Sequence, residues 1–304
     1  MFDVICMGSS TIDLFMRIKD KFRECLPGDK ILIDELDYGT GGGGTNSAVA
    51  LSRLGCKSAF LGKTGSDHNA ERILSELRKE NVSVIPVKKS KLRTSFSVIL
   101  ESCKEADRII YTYKGASNDL SGKDFSMKKL NAKWIYLATH LGKAFKTSER
   151  VVEYAKKKGI KVLFNPSEYL ARHPGMLKNI LKNTDILVLN KHEAQLLTKT
   201  SNGFSRLAKL IIKKGVKAII ITDGPHGVYY DDGKQKIREK AHKIKIVSTA
   251  GAGDAFTSGF LAGLIRGVGI KQCLKIGMAN AESVIKHMGA KSGLLGWKDI
   301  SRLK

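Results

Sequence analysis

Short apolar runs recur along the chain, with room for one helix between most neighbouring pairs. "FDVICMG" (2–8), "SAFLG" (58–62), "WIYLA" (134–138), "KVLFN" (161–165), "DILVLN" (185–190) and "AIIIT" (218–222) are mostly unbroken apolar stretches. Runs of this length and composition read as strands buried on both faces. Between them the period changes. In "NAERILSELRKEN" (69–81) and "SERVVEYAKKKG" (148–159) apolar residues return at helical spacing. Val151, Val152 and Ala155 share one face, Lys156–Lys158 crowd the last turn, and Gly159 stands where a left-handed cap belongs. Alternating strand and helix predicts βαβ units and a mostly parallel sheet covered on both faces. Residues 14–38 and 92–113 break the pattern with period-two alternation. "SFSVILE" and "RIIYTY" are predicted to pair as a hairpin around "SCKEAD". We read the two segments as a small β-sheet lid inserted into the α/β core; two independent surface hairpins are the alternative.

Composition narrows the picture. A chain of 304 residues buries a large core, so one domain over 1–304 is expected. Its net charge of +24 favours anionic partners, phosphorylated small molecules among them. The positive residues are dispersed, however. The densest runs (Lys88, Lys89, Lys91 and Arg93; Lys156–Lys158) form no basic tail interleaved with aromatics, which argues against a nucleic-acid binder. Five widely spaced cysteines contain no CxxC pair, so neither zinc nor a thioredoxin-like site is supported. Reduced thiols and a cytoplasmic location are expected. "MFDVICMGSS" has no leader pattern and no apolar run reaches 18 residues, so no membrane span is expected.

Two glycine-rich junctions carry the chemistry. In "TGGGGTNSAVALSRLG" (40–55) four glycines precede a helix with an apolar face. Glycines let the backbone approach a ligand closely, the helix start offers amide donors, and Asn46 brings both a donor and an acceptor suited to a polyol. "TAGAGDAFTSGFLAGL" (249–264) repeats the device after the strand-like "KIKIV" (243–247). The amides of Gly251, Ala252 and Gly253 would form an anion nest, and Asp254 follows in the first helical turn. A carboxylate there favours the helix dipole. It is also placed to take a proton from an attacking hydroxyl while the nest holds charge on a phosphoryl group. "GAGDAF" is not GxGxxG, and Lys57 stands where a P-loop preceding "GKT" (62–64) needs glycine.

Together these stretches resemble the two signatures of the ribokinase-like, or PfkB, carbohydrate kinases. "GSSTIDL" (8–14), "KGASNDLS" (114–121), "LNKHEAQLL" (189–197), "ITDGPHGVYY" (221–230) and "ANAESVIKHMGAKSG" (279–293) extend the resemblance over essentially the whole chain. It implies a Rossmann-like doubly wound core with a β lid, and ATP with Mg²⁺ as phosphoryl source. By position, Asp254 is implied as the base, with Gly251, Ala252 and Gly253 as anion hole. Asp13, Gly42, Gly43 and Asn46 would hold the acceptor. Asn190, Glu193, Thr222, Gly224, Gly227 and Asn280 would serve the nucleotide, with Glu193 acting on the metal through water and phosphate.

The resemblance also implies a small sugar, polyol or nucleoside acceptor and leaves a homodimer through the lid open. Two departures bear on specificity. Ser248-Thr249-Ala250 lacks the acidic residue many relatives have there, which weakens the expectation of a monovalent-cation site. Gly43 replaces a lysine common in the ribokinase type, so the pocket is wider and less charged. His140, after the third strand-like run, could touch the acceptor or be a satisfied core histidine. The cluster at Lys88–Arg93 could take a sugar phosphate or be solvated surface.

Overall fold

The computed structural model describes residues 1–105 and 107–302. The main sheet runs, in spatial order, Lys236–Glu239 (β13), Val228–Asp231 (β12), Ala218–Thr222 (β11), Ile186–Asn190 (β10), Lys161–Asn165 (β9), Ala132–Ala138 (β8), Phe2–Met7 (β1), Ser58–Leu61 (β4) and Ser83–Val84 (β5). Neighbours from β11 to β5 pair parallel; β12 and β13 add an antiparallel edge. The helices are α1 (Gly43–Arg53), α2 (His68–Lys79), α3 (Gly115–Asn118), α4 (Gly142–Lys157), α5 (Glu168–Ala171), α6 (Lys178–Lys182), α7 (Lys191–Thr198), α8 (Phe204–Ile212), α9 (Ala252–Ile265), α10 (Ile270–Val284) and α11 (Trp297–Ile300).

Alternate residues of each strand feed opposite faces. Val4, Cys6, Tyr136 and Ile220 join the core beneath α1, α2, α9 and α10. Ile5, Met7, Leu137 and Ile219 join the one beneath α4, α6, α7 and α8. Both faces are covered, which is why these strands read as unbroken apolar runs. The six strand-like runs named from the sequence all fall in this sheet. "KIKIV" does not: residues 243–247 form no strand. The segment is tied instead to the end of α10, where the Ile285 carbonyl accepts from the Val247 and Ser248 amides at 2.8 and 3.2 Å.

A second, four-stranded sheet has the order Glu35–Gly41 (β3), Thr11–Ile18 (β2), Ser95–Ser102 (β6) and Asp107–Tyr113 (β7). β6 and β7 form the expected hairpin; the expected lid segment 92–113 includes residue 106, which lies outside the described residues, as do 303 and 304 of the expected domain. The two hairpins are joined at the centre of the sheet by a parallel pairing of β2 with β6, Asp13 opposite Ser97. They therefore make one sheet. The strands of the first excursion begin at Thr11 and end at Gly41, three residues beyond the expected 14–38 on each side.

Candidate active site

The parallel strands β1, β8, β9, β10 and β11 all end on one rim. Between β1 and β8 the chain order reverses, so the connections diverge and leave a crevice, as open α/β sheets do at their switch point. A cavity of about 440 Å³ occupies that rim. The strand ends supply its floor through Ala138, Thr139, Asn165 and Asn190, and the small sheet supplies a wall through Asp13, Phe15, Ile99 and Arg108.

Asp254 lines the cavity from the first turn of α9. The turn before it depends on Gly251, which has φ +75° and lies so close to the 289–293 loop that a Cβ would sit 2.5 Å from the Ala290 carbonyl. First-turn amides have no carbonyl of their own helix to bond, so they are available to an anion. Across the cavity Asn46 donates from Nδ2 to Asp254 Oδ2 at 2.9 Å. Its Oδ1 is buried and has no partner among the described residues. α1 presents Asn46 because its cap, Gly42, adopts φ +96° with Ser9 O 2.5 Å from where a Cβ would be. Gly43 faces the carboxylate; a Cβ there would lie 3.5 Å from Asp254 Oδ1. Burial pushes the Asp254 carboxyl up to about 6, against the opposing pull of Asn46, Tyr136 and the Lys291 charge.

Asp13 stands on β2 at the small-sheet side of the cavity. Burial raises its carboxyl above the usual range, opposed by Ser97, Lys291 and Lys114. Lys291 is buried, with Nζ 2.6 Å from both Thr40 Oγ1 and Glu76 Oε2. It ties the loop behind Gly251 to β3 and α2. Lys114 lines the cavity and makes no ion pair among the described residues. Neither lysine is marked by any sequence pattern beyond its place in a motif-like stretch.

Towards β10 and β11 the lining passes to Asn190, Glu193, Thr222, Ser248, Gly251 and Gly253. Asn190 caps α7: its Oδ1 accepts from the Glu193 amide at 2.8 Å, and Glu193 Oε2 accepts from the Asn190 amide at 2.9 Å. The spacing that looked like ligand chemistry is thus also a capping box. Burial raises Glu193 to about 7.

Five candidates stand away from the cavity lining, among them Ala252 in the first turn of α9. His140 is 2% exposed, with Nδ1 3.1 Å from Ser148 Oγ, and burial lowers it to about 4. It packs as a buried histidine and is not among the residues that line the cavity. Asn280 is buried between helices, donating to Ala255 O at 2.8 Å and accepting from the Leu295 amide at 3.0 Å. Gly224 and Gly227 lie just beyond Thr222 in the β11–β12 turn. The cluster Lys88, Lys89, Lys91 and Arg93 is likewise absent from the lining.

A family model for pfkB family carbohydrate kinases matches residues 1–295. An uncharacterised sugar kinase of Archaeoglobus fulgidus is 30% identical over 254 residues, 81% of this chain and 98% of that protein. A ribokinase of Staphylococcus aureus is 27% identical over 269 residues, 86% of each. The solved adenosine kinase of Sinorhizobium meliloti superposes with a TM-score of 0.87 at 23% identity, covering 99% of this chain and 98% of that one. With a matching signature at each end of one continuous domain, the chain belongs to the pfkB family of carbohydrate kinases, which are phosphotransferases.

Proposed function

We propose that this kinase transfers the terminal phosphoryl group of ATP to a hydroxyl of a small sugar or polyol, with Asp254 as general base. The observation that carries the reading is the carboxylate of Asp254 at the start of α9, sharing one cavity with Asn46 and Asp13. Asn46 and Asp13 offer hydrogen bonds to a polyhydroxylated acceptor. Asp254 takes the proton of the attacking hydroxyl, and the first-turn amides of α9 hold the charge on the transferring group. The cradle at Gly251, closed behind by Ala290, fits a phosphate. The Asn190–Glu193 end and Thr222, with Gly224, Gly227 and Asn280 behind them, would serve the nucleotide.

Mg²⁺, when bound, neutralises phosphate charge. Glu193 would act on it indirectly. Most of the lowered barrier comes from positioning and charge neutralisation.

ADP release with ATP–Mg²⁺ across ribose, fructose, glucose, 2-keto-3-deoxygluconate, myo-inositol, fructose phosphates, adenosine, cytidine and inosine tests this. A free sugar or polyol should be the best acceptor, and Asp254→Asn should cut its turnover at least ~10²-fold. Undiminished turnover would remove Asp254 from its role.

A second reading, an acceptor bearing phosphate or carboxylate, is favoured by Lys114 in the acceptor wall. Lys114→Met would then raise KM for that acceptor and spare neutral ones. A homodimer through the small sheet is supported by its outer face, where Leu36, Tyr38, Tyr111 and Tyr113 are exposed. An isologous partner would cover them. Light scattering of wild type against Tyr111→Lys should show dimer turning to monomer. No helix of the described residues is long and apolar enough to cross a membrane.

A further inference from the structure

Tyr136 lies in β8 directly beneath the cavity floor and is fully buried. In the sequence it is one apolar-looking position in "WIYLA". A buried phenol needs a hydrogen-bond partner, and this one has two acceptors at equal distance. Its hydroxyl is 3.4 Å from Asp254 Oδ1 and 3.4 Å from Asn165 Oδ1. Asn165, at the end of β9, is fixed by its own amide group, which donates to Val188 O at 3.0 Å and leaves Oδ1 towards the tyrosine. A phenol has one proton and can serve only one of the two acceptors fully. The ionised carboxylate is the stronger acceptor. Once Asp254 is protonated, the amide oxygen becomes the better choice.

We propose that Tyr136 is a positioning residue for phosphoryl transfer, its hydroxyl donating to Asp254 while the carboxylate is ionised and turning to Asn165 when Asp254 has taken the acceptor's proton. The inference rests on Asp254 being the base. The acceptor proton ends on Asp254, and the phenol keeps its own proton throughout. Asn46 holds Oδ2 from α1 and Tyr136 holds Oδ1 from β8, so the two oxygens are fixed from two different elements. The carboxylate is thereby oriented before any acceptor arrives.

Other groups bear on the same carboxyl. Ser47 of α1 and Thr257 of α9 lie near the Tyr136 hydroxyl, Cys6 of β1 lies near Asp254, and Lys291 contributes its charge from the C-terminal loop. Burial keeps both the Cys6 thiol and the Tyr136 phenol well above their usual ranges, so both stay neutral. Lys291 is already engaged by Glu76. Tyr136 is the neutral donor whose bond can change with the state of Asp254.

The test is the pH profile of kcat for wild type, Tyr136→Phe and Asp254→Asn, with melting temperatures and acceptor KM measured alongside. With Asp254→Asn inactive, Tyr136→Phe should move the acid limb up by about one pH unit, a roughly tenfold loss on the acid side. Acceptor KM should stay within about twofold, because the phenol lies outside the cavity lining. A purely structural role would instead lower kcat evenly at every pH. An unmoved limb overturns the inference and leaves the base assignment standing. An active Asp254→Asn overturns both. Should Tyr136→Phe not fold, 3-fluorotyrosine at position 136 keeps the shape and strengthens the donor. It should move the limb down, and no movement would overturn the proposal.

Discussion

Asp254, the base of the proposed reaction, also weakens the fold. An acid whose native pKa is raised binds its proton more tightly folded than unfolded. Stability therefore falls as pH rises from about 4 to about 6, and the cost persists above that range. Asp254→Asn removes the buried charge, so its melting temperature at pH 7.5 should exceed that of wild type by a few degrees while activity is lost. Differential scanning calorimetry checks this, and a lower melting temperature would contradict it. Activity should need the ionised carboxylate, so kcat should climb through an acid limb near pH 6 and level off above it. At Gly41 any side chain would collide with the Asp13 carboxylate. Gly41→Ala should therefore raise the acceptor KM about tenfold or more with little change in ATP affinity, as seen by isothermal titration.

Among the elements, α7 would combine two tasks at its N-cap, Asn190. Asn190→Ala removes the cap and should cost about 1 kcal/mol of stability. Asn190→Asp keeps a capping oxygen and adds a negative charge to the phosphate end of the cavity. It should melt like wild type and bind ATP more weakly, a contrast that thermal shift with and without nucleotide resolves. The same double role explains part of what the sequence could and could not reveal. Helix starts rich in glycine were legible because Gly42 and Gly251 obey local steric rules. Strands buried on both faces were legible because their apolar runs are continuous. β13 was not, since "KIRE" alternates charge with one isoleucine, the pattern of a guarded sheet edge. "KIKIV" looked stranded because strand propensity says nothing of whether a neighbour is free to pair. Tyr136 and Lys291 were missed because their contacts span 118 and 215 residues, and no local pattern encodes such a meeting. His140 drew attention by its residue type, yet packing turned it to Ser148.

At the scale of the molecule, the small sheet joins the core by chain that enters and leaves it twice, and the parallel β2–β6 pair links the two excursions. Such a sheet should move as one body. Amides of β2, β3, β6 and β7 should gain hydrogen-exchange protection together when acceptor binds; protection confined to one hairpin would argue for two independent flaps. The dispersed charge predicts that raising salt weakens ATP binding modestly rather than abolishing it. The three-layer architecture was the most readable feature, because alternation of strand and helix is a property of the whole chain. Which strands of the lid would pair was hidden, because β2 and β6 are separated by a complete βα passage through the core.

The bond between Asn46 and Asp254 spans 208 residues. During synthesis the glycine-rich start of α1, the small sheet and the main sheet can be complete while Asp254 is still untranslated. On the proposed reading, a stalled or clipped chain lacking α9 would have no group to deprotonate an acceptor. On that reading, competence would arrive only once α9 has been made and has packed against α1.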